Sequence, residues 1–98
     1  MNIDLSGKKA LVGAATDGIG KAVALQFAEL GAEVTIVSRN ENKLKNVLKE
    51  LDSSKGQNHM YMVTDYMDFE GTKKIYDEYF KENSIDILVN NTNGPKTG

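Results

Sequence analysis

A chain of 98 residues with 40% hydrophobic and 27% charged side chains has the composition of an ordinary globular domain, and at that size it buries roughly two-thirds of the surface its unfolded form exposes. Twelve basic against 14 acidic residues leave a net charge of −2 with the signs interspersed, which excludes the basic stripe of a nucleic-acid binder. The absence of cysteine excludes disulfides and thiolate metal sites, and the N-terminal Met1-Asn2-Ile3-Asp4 reads as neither a secretory leader nor a membrane span, so the expected compartment is the cytoplasm.

Lys9 to Val12 is a short apolar run that ends in glycine-rich sequence, the pattern of a buried strand followed by a tight turn. Ile19, Ala22, Val23, Phe27 and Leu30 then recur at helical spacing and predict one apolar stripe, with Gly31 suited to end the helix. Val34 to Val37 is β-branched and predicts a second strand. Asn40 can cap a second helix carrying Leu44, Val47, Leu48 and Leu51, and Asp52 to Asn58 is polar linker. His59, the only histidine, has no partner at ligand spacing and reads as a strand residue, so no metal site is expected. Met60 to Val63 is a third strand, closed by Thr64-Asp65. Asp68 can cap a third helix in which Phe69, Thr72, Tyr76, Tyr79 and Phe80 serve as core or cover, and Ile85 to Val89 is a fourth strand.

Strands alternating with helices of about a dozen residues imply right-handed β-α-β units and a parallel sheet. The fold class is α/β, doubly wound, with the spatial strand order 3-2-1-4 expected of a dinucleotide-binding half. The first and fourth strands then flank the switch point, and their carboxyl ends carry the glycine turn and Asn90-Asn91. Gly13, Gly18 and Gly20 are placed where backbone must approach a pyrophosphate and where a helix N-terminus must face it. The rival phosphate loop, built around Gly20-Lys21, would need glycine at Ala15 and a hydroxyl at Ala22, and is rejected.

These residues resemble the short-chain dehydrogenase/reductase family, whose turn reads Thr-Gly-x-x-x-Gly-Ile-Gly. The alignment of Gly18-Ile19-Gly20 puts Gly13 at the family's threonine and Ala14 at its first glycine. Alanine there, together with Asn91-Thr92-Asn93-Gly94-Pro95, is most similar to bacterial enzymes like 3-oxoacyl-[acyl-carrier-protein] reductases. The resemblance implies a Rossmann-type domain over residues 1–98 whose cofactor contacts are Gly13, Ala14, Thr16, Asp17, Gly18, Ile19 and Gly20 at the pyrophosphate, Ser38 and Arg39 at the adenosine ribose, Asp65 and Tyr66 at adenine, and Asn91, Thr92 and Asn93 along the nicotinamide-side ribose. Loss of the threonine at Gly13 removes a tie within the turn and predicts weaker cofactor binding than is usual in the family. Asn93, in place of a glycine, puts a side chain where backbone normally lies close to ligand, which disturbs the fit there. Ser38 stands where NAD-preferring proteins carry an acid, and Arg39 can pair with a 2′-phosphate, so NADP(H) is expected over NAD(H), with Asp17 as a charge of the wrong sign.

The family's chemistry requires a tyrosine with a lysine four positions later, and a serine that orients the carbonyl. Tyr61, Tyr66, Tyr76 and Tyr79 are followed at that distance by Asp65, Glu70, Phe80 and Asn83, so no catalytic residue is assigned. The expectation is a truncated cofactor-binding part of an NADP-dependent reductase, inactive alone and either self-associating through the outer edge of its fourth strand or only marginally folded. A non-catalytic nucleotide-sensing module and the product of an interrupted gene are the alternatives that stay open.

Overall fold

The computed structural model of the chain describes residues 3–64 and 67–89, apart from the side chain of Phe69. Its elements are β1 (Lys9–Gly13), α1 (Gly18–Glu29), β2 (Glu33–Ser38), α2 (Glu41–Glu50), β3 (Met60–Val63), α3 (Phe69–Glu82) and β4 (Ile87–Val89). The strands form one parallel sheet in the order β3-β2-β1-β4, as the sequence predicts.

Register decides which residues meet each face. Tyr61, Ile36, Val12 and Val89 stand side by side across the sheet, and all four belong to the cluster formed with Ala24 and Ala28 of α1 and Leu44 and Val47 of α2. The next row, Met60, Thr35, Leu11 and Leu88, points the other way because side chains alternate along a strand. Thr35 there shares a hydrogen bond of 2.8 Å between its hydroxyl and that of Tyr79 in α3. The sheet is therefore wound on both faces, α1 and α2 on one and α3 on the other.

The face that α1 buries is not the predicted stripe. Ile19 is 75% exposed and Ala22 is exposed, whereas Gly20, Ala24 and Ala28 are buried. A helix lying close to a sheet needs small residues along its contact line, because each larger side chain pushes the axes apart. The large apolar residues Val23, Phe27 and Leu30 flank that line half-buried. A pattern search weighted by hydrophobicity follows the flanks and misses the seam. Gly31 ends the helix at φ 104°, where a β-carbon would lie 2.7 Å from the Ser6 hydroxyl, so both conformation and space require glycine.

Asn40 and Asp68 cap α2 and α3 as expected, their carboxamide and carboxylate oxygens accepting from the backbone of Lys43 and Gly71 at 3.1 Å each. The fourth strand begins at Ile87 and not at Ile85, because Asp86 is diverted to the start of β1. Its backbone N–H donates to the Lys9 carbonyl at 2.9 Å, and its carboxylate accepts from the Lys9 N–H at the same distance. Phe80 is more exposed than a core residue, at 47%, and packs its ring on Tyr76 and Tyr79.

The polar linker before β3 is tied to the sheet's amino end. The Gln57 carboxamide donates to the Ala28 and Ala32 carbonyls at 2.8 and 3.1 Å. His59 accepts the Val34 N–H at Nδ1 and donates from Nε2 to the Asp52 carbonyl, at 3.0 and 2.8 Å, so a histidine that resembles a strand residue in the sequence joins β2 to the linker. We expect Ala24→Leu to lower stability by about 1–3 kcal/mol through overpacking of the α1 seam, with Ile19→Ala inside about 0.5 kcal/mol. Urea denaturation of both variants checks this, and the reverse ranking would restore the predicted stripe.

Candidate functional site

In a doubly wound sheet the ligand crevice opens beyond the carboxyl ends of the strands, where neighbouring crossovers leave on opposite faces. Here that point lies between β1 and β4. The chain leaves β1 through a turn in which Ala14 has φ 51° and Gly18 has φ 59°. Ala14, at the position expected to be glycine, thus adopts the left-handed geometry with its β-carbon in place. Open space surrounds the position a β-carbon would occupy on Gly18, with no heavy atom within 4 Å.

The turn is fastened to β2. The Ala15 N–H donates to the Val37 carbonyl at 3.2 Å, and the hydroxyls of Thr16 and Ser38 lie 3.4 Å apart. Gly13 itself is paired with Val37 as the last residue of β1. The turn is thus held to β2 two and three residues beyond Gly13.

Asp17 occupies the cap position of α1, yet its side chain makes no capping hydrogen bond. Its carboxylate turns aside to the ammonium of Lys43 at 3.2 Å, and also accepts from the Thr16 hydroxyl at 3.5 Å. Among the described residues, the first N–H groups of α1, over Gly18-Ile19-Gly20, are left without a side-chain acceptor, in contrast to the capped starts of α2 and α3. Uncapped N–H groups at the positive end of a helix, beneath a turn of small residues, form a cradle suited to a phosphate. The residues present fit a dinucleotide's pyrophosphate by that donor set.

At the end of β2, the Ser38 hydroxyl accepts from the Asn40 N–H at 3.4 Å, and its carbonyl accepts from the Thr64 N–H at 2.9 Å. Arg39 is exposed and makes no ion pair among the described residues. Thr64, at the end of β3, is 3% exposed, and its hydroxyl has no hydrogen-bond partner among the described residues. The structure thus brings Gly13, Ala14, Thr16, Asp17, Gly18, Ile19, Gly20, Ser38 and Arg39 to one end of the sheet. Asp65, Tyr66, Asn91, Thr92 and Asn93 lie outside the described residues.

Lys43 is the residue that sequence reasoning missed. Its place in the first turn of α2, next to the Asn40 cap, was legible, but its approach to an acid 26 positions earlier was not. Tyr61 donates its hydroxyl to the Glu41 carboxylate at 2.9 Å, which raises its pKa from the ordinary phenol value. That is opposite to the shift a proton-transferring tyrosine needs. A cleft of about 240 Å³ at the other end of the sheet, between Ser6, Lys8, Gly31 and Lys55, is remote from this crevice.

The sequence profile described as short chain dehydrogenase matches residues 8–98. Among curated proteins the chain is similar to the uncharacterized oxidoreductase C736.13 of Schizosaccharomyces pombe, 38% identical over 90% of this chain and 26% of that protein. It is likewise similar to the uncharacterized oxidoreductase YvaG of Bacillus subtilis, 39% identical over 93% of this chain and 34% of that protein. Among solved structures, L-sorbose reductase from Gluconobacter frateurii complexed with NADPH and L-sorbose superposes with a TM-score of 0.81 at 29% identity, covering 98% of this chain and 37% of that one. The chain therefore spans between about a quarter and two-fifths of the length of these proteins.

The left-handed Ala14 gives a direct test of the turn. Ala14→Val should lower stability by about 1–3 kcal/mol, because a β-branched residue is strained at that φ, whereas Ala14→Gly should change it by less than about 1 kcal/mol, relief of strain being offset by unfolded-state freedom. Thermal or urea unfolding of the pair reads the difference.

Proposed function

The chain belongs to the short chain dehydrogenase family of oxidoreductases, and from that premise we propose that residues 1–98 are the dinucleotide-binding unit of an NADP(H)-dependent carbonyl reductase. The observation that carries the reading is the uncapped start of α1 beneath the Ala14 to Gly18 turn. The L-sorbose reductase that superposes on the chain was solved with NADPH, which supports a nicotinamide dinucleotide as the ligand. When bound, the cofactor would exchange a hydride with a carbonyl carbon.

The chain's own residues would bind and orient. The N–H groups over Gly18 to Gly20 would hold the pyrophosphate, and Ser38 and Arg39 would take the adenosine ribose and its 2′-phosphate. Asp65 and Tyr66 would flank adenine, while Asn91, Thr92 and Asn93 would lie along the second ribose. Ala14 and Asn91-Thr92-Asn93-Gly94-Pro95 resemble the pattern of 3-oxoacyl-[acyl-carrier-protein] reductases, and that resemblance supports a reductase of that subgroup without fixing its substrate. A reducing, cytoplasmic setting belongs to the same proposal and is supported by the lack of cysteine. Among the described residues, no helix is long and apolar enough to cross a membrane.

This 98-residue polypeptide contains no tyrosine followed four positions later by lysine. We expect it alone to bind cofactor and to reduce no 3-oxoacyl thioester or ketone with NADPH. Turnover above the blank that survives rigorous purification would contradict this. With its Leu88 face 63% exposed and β4 at the sheet's edge among the described strands, the polypeptide should also self-associate, which sedimentation against concentration checks.

Arg39 should discriminate between the cofactors. A hydrogen bond to a charged group contributes about 1.5–3 kcal/mol, so Arg39→Ala should weaken NADPH about 10- to 100-fold and leave NADH nearly unchanged. Calorimetric titration of both is the measurement, and equal losses would reduce Arg39 to a support of the loop.

A further inference from the structure

We propose that Lys43 is a second determinant of cofactor choice, a cation that Asp17 holds in reserve near the end of β2 and that transfers to the 2′-phosphate of a phosphorylated adenosine. The proposal deepens the NADP(H) reading above and rests on it.

Asp17 taken alone argues against a phosphate. It is an acid in the turn that follows β1, and an acid near a bound dianion raises the energy of the complex. The structure changes the sign of that argument. Asp17 does not cap α1, and its carboxylate is instead paired with the Lys43 ammonium at 3.2 Å. The negative charge in the turn is thereby compensated, and a positive one is fixed beside it.

The position of that ammonium relative to the ribose site follows from a continuous run of contacts. The Ser38 and Thr16 hydroxyls are 3.4 Å apart, Thr16 reaches the Asp17 carboxylate at 3.5 Å, and the same carboxylate oxygen meets Lys43 at 3.2 Å. Ser38 is the residue at the end of β2 beside which an adenosine ribose lies in a doubly wound sheet. Lys43 is therefore three short steps from the ribose position. It sits in the first turn of α2, whose N-terminus is the positive end of that helix.

Both members of the pair are half-exposed, at 53% for Lys43 and 63% for Asp17, and a pair so open to water is weak. Lysine is a flexible point charge, so its ammonium can turn between a carboxylate carrying one charge and a phosphate carrying nearly two. The doubly charged group attracts it more strongly, alongside Arg39. With an unphosphorylated ribose, Lys43 stays on Asp17 and contributes nothing.

The experiment is calorimetric titration of the 98-residue chain with NADPH, NADH, 2′,5′-ADP and 5′-ADP, for Lys43→Gln, Lys43→Arg, Asp17→Asn and Arg39→Ala. Lys43→Gln should weaken NADPH and 2′,5′-ADP about 10-fold and change NADH and 5′-ADP by less than about twofold. Lys43→Arg should keep the preference, and Asp17→Asn should strengthen the 2′-phosphorylated ligands. Far-ultraviolet circular dichroism shows whether each variant is folded. If Arg39→Ala discriminates and Lys43→Gln does not, this inference fails while the NADP(H) reading stands. If neither discriminates, or if no ligand binds, both fall. Equal weakening of all four ligands by Lys43→Gln would likewise overturn the role of Lys43.

Discussion

The closeness of α1 to the sheet is the constraint on which the rest of the architecture depends. Gly20, Ala24 and Ala28 line its inner face and are buried, and Ala24 and Ala28 share a cluster with Val12, Val34 and Ile36. Residues this small let the helix lie near the strands, and its N-terminus then opens directly over the carboxyl end of β1. The turn that joins them has only four residues, from Ala14 to Asp17, in which to reverse direction, and left-handed geometry at Ala14 and Gly18 follows from that shortness. A helix held further out would need a longer turn and would carry its N–H groups away from the crevice.

Capping shows how the same chain treats helix starts differently according to their task. α2 and α3 begin with a side chain that satisfies their own backbone, Asn40 in one and Asp68 in the other. α1 has an aspartate in the equivalent place and leaves it uncommitted to the helix. Foregoing a cap costs about 1 kcal/mol, and a phosphate bound at the same N–H groups, as proposed above, would offset it. The position of that helix at the switch point, and the family to which the chain belongs, agree with this division of roles.

Much of this was legible in the sequence, because local signals agreed with the global pattern. The seven elements, their parallel order and both capping residues follow from periodicity, β-branching and cap chemistry. What was not legible depends on contacts between distant residues. The inner face of α1 escaped because alanine and glycine carry little hydrophobic signal, although they alone permit close approach. Ile85 and Asp86 fall outside β4, and Asp86 takes the Lys9 N–H with its carboxylate, a contact across 77 positions that no local pattern encodes. His59 and Gln57 join linker to sheet through hydrogen bonds that no spacing rule encodes. In the site, the glycine positions and the Ser38-Arg39 end of β2 were readable, but the acid at Asp17 took its meaning only from Lys43. Asp65, Tyr66 and the Asn91 to Asn93 segment fall outside the described residues, so the described part of the crevice is the part proposed for pyrophosphate and adenosine ribose.

The central claim is that ligand binds at the carboxyl end of this sheet, across the β1 to α1 turn. Titration of the isotopically labelled chain with NADPH, followed by backbone amide resonances, tests it most directly. The account predicts that the largest shifts fall on Gly18, Ile19 and Gly20, with a second group from Ser38 to Lys43, while Ser6, Lys8 and Lys55 at the opposite end stay unmoved. Shifts concentrated at that opposite end, or none over the α1 N-terminus at saturating cofactor, would contradict it.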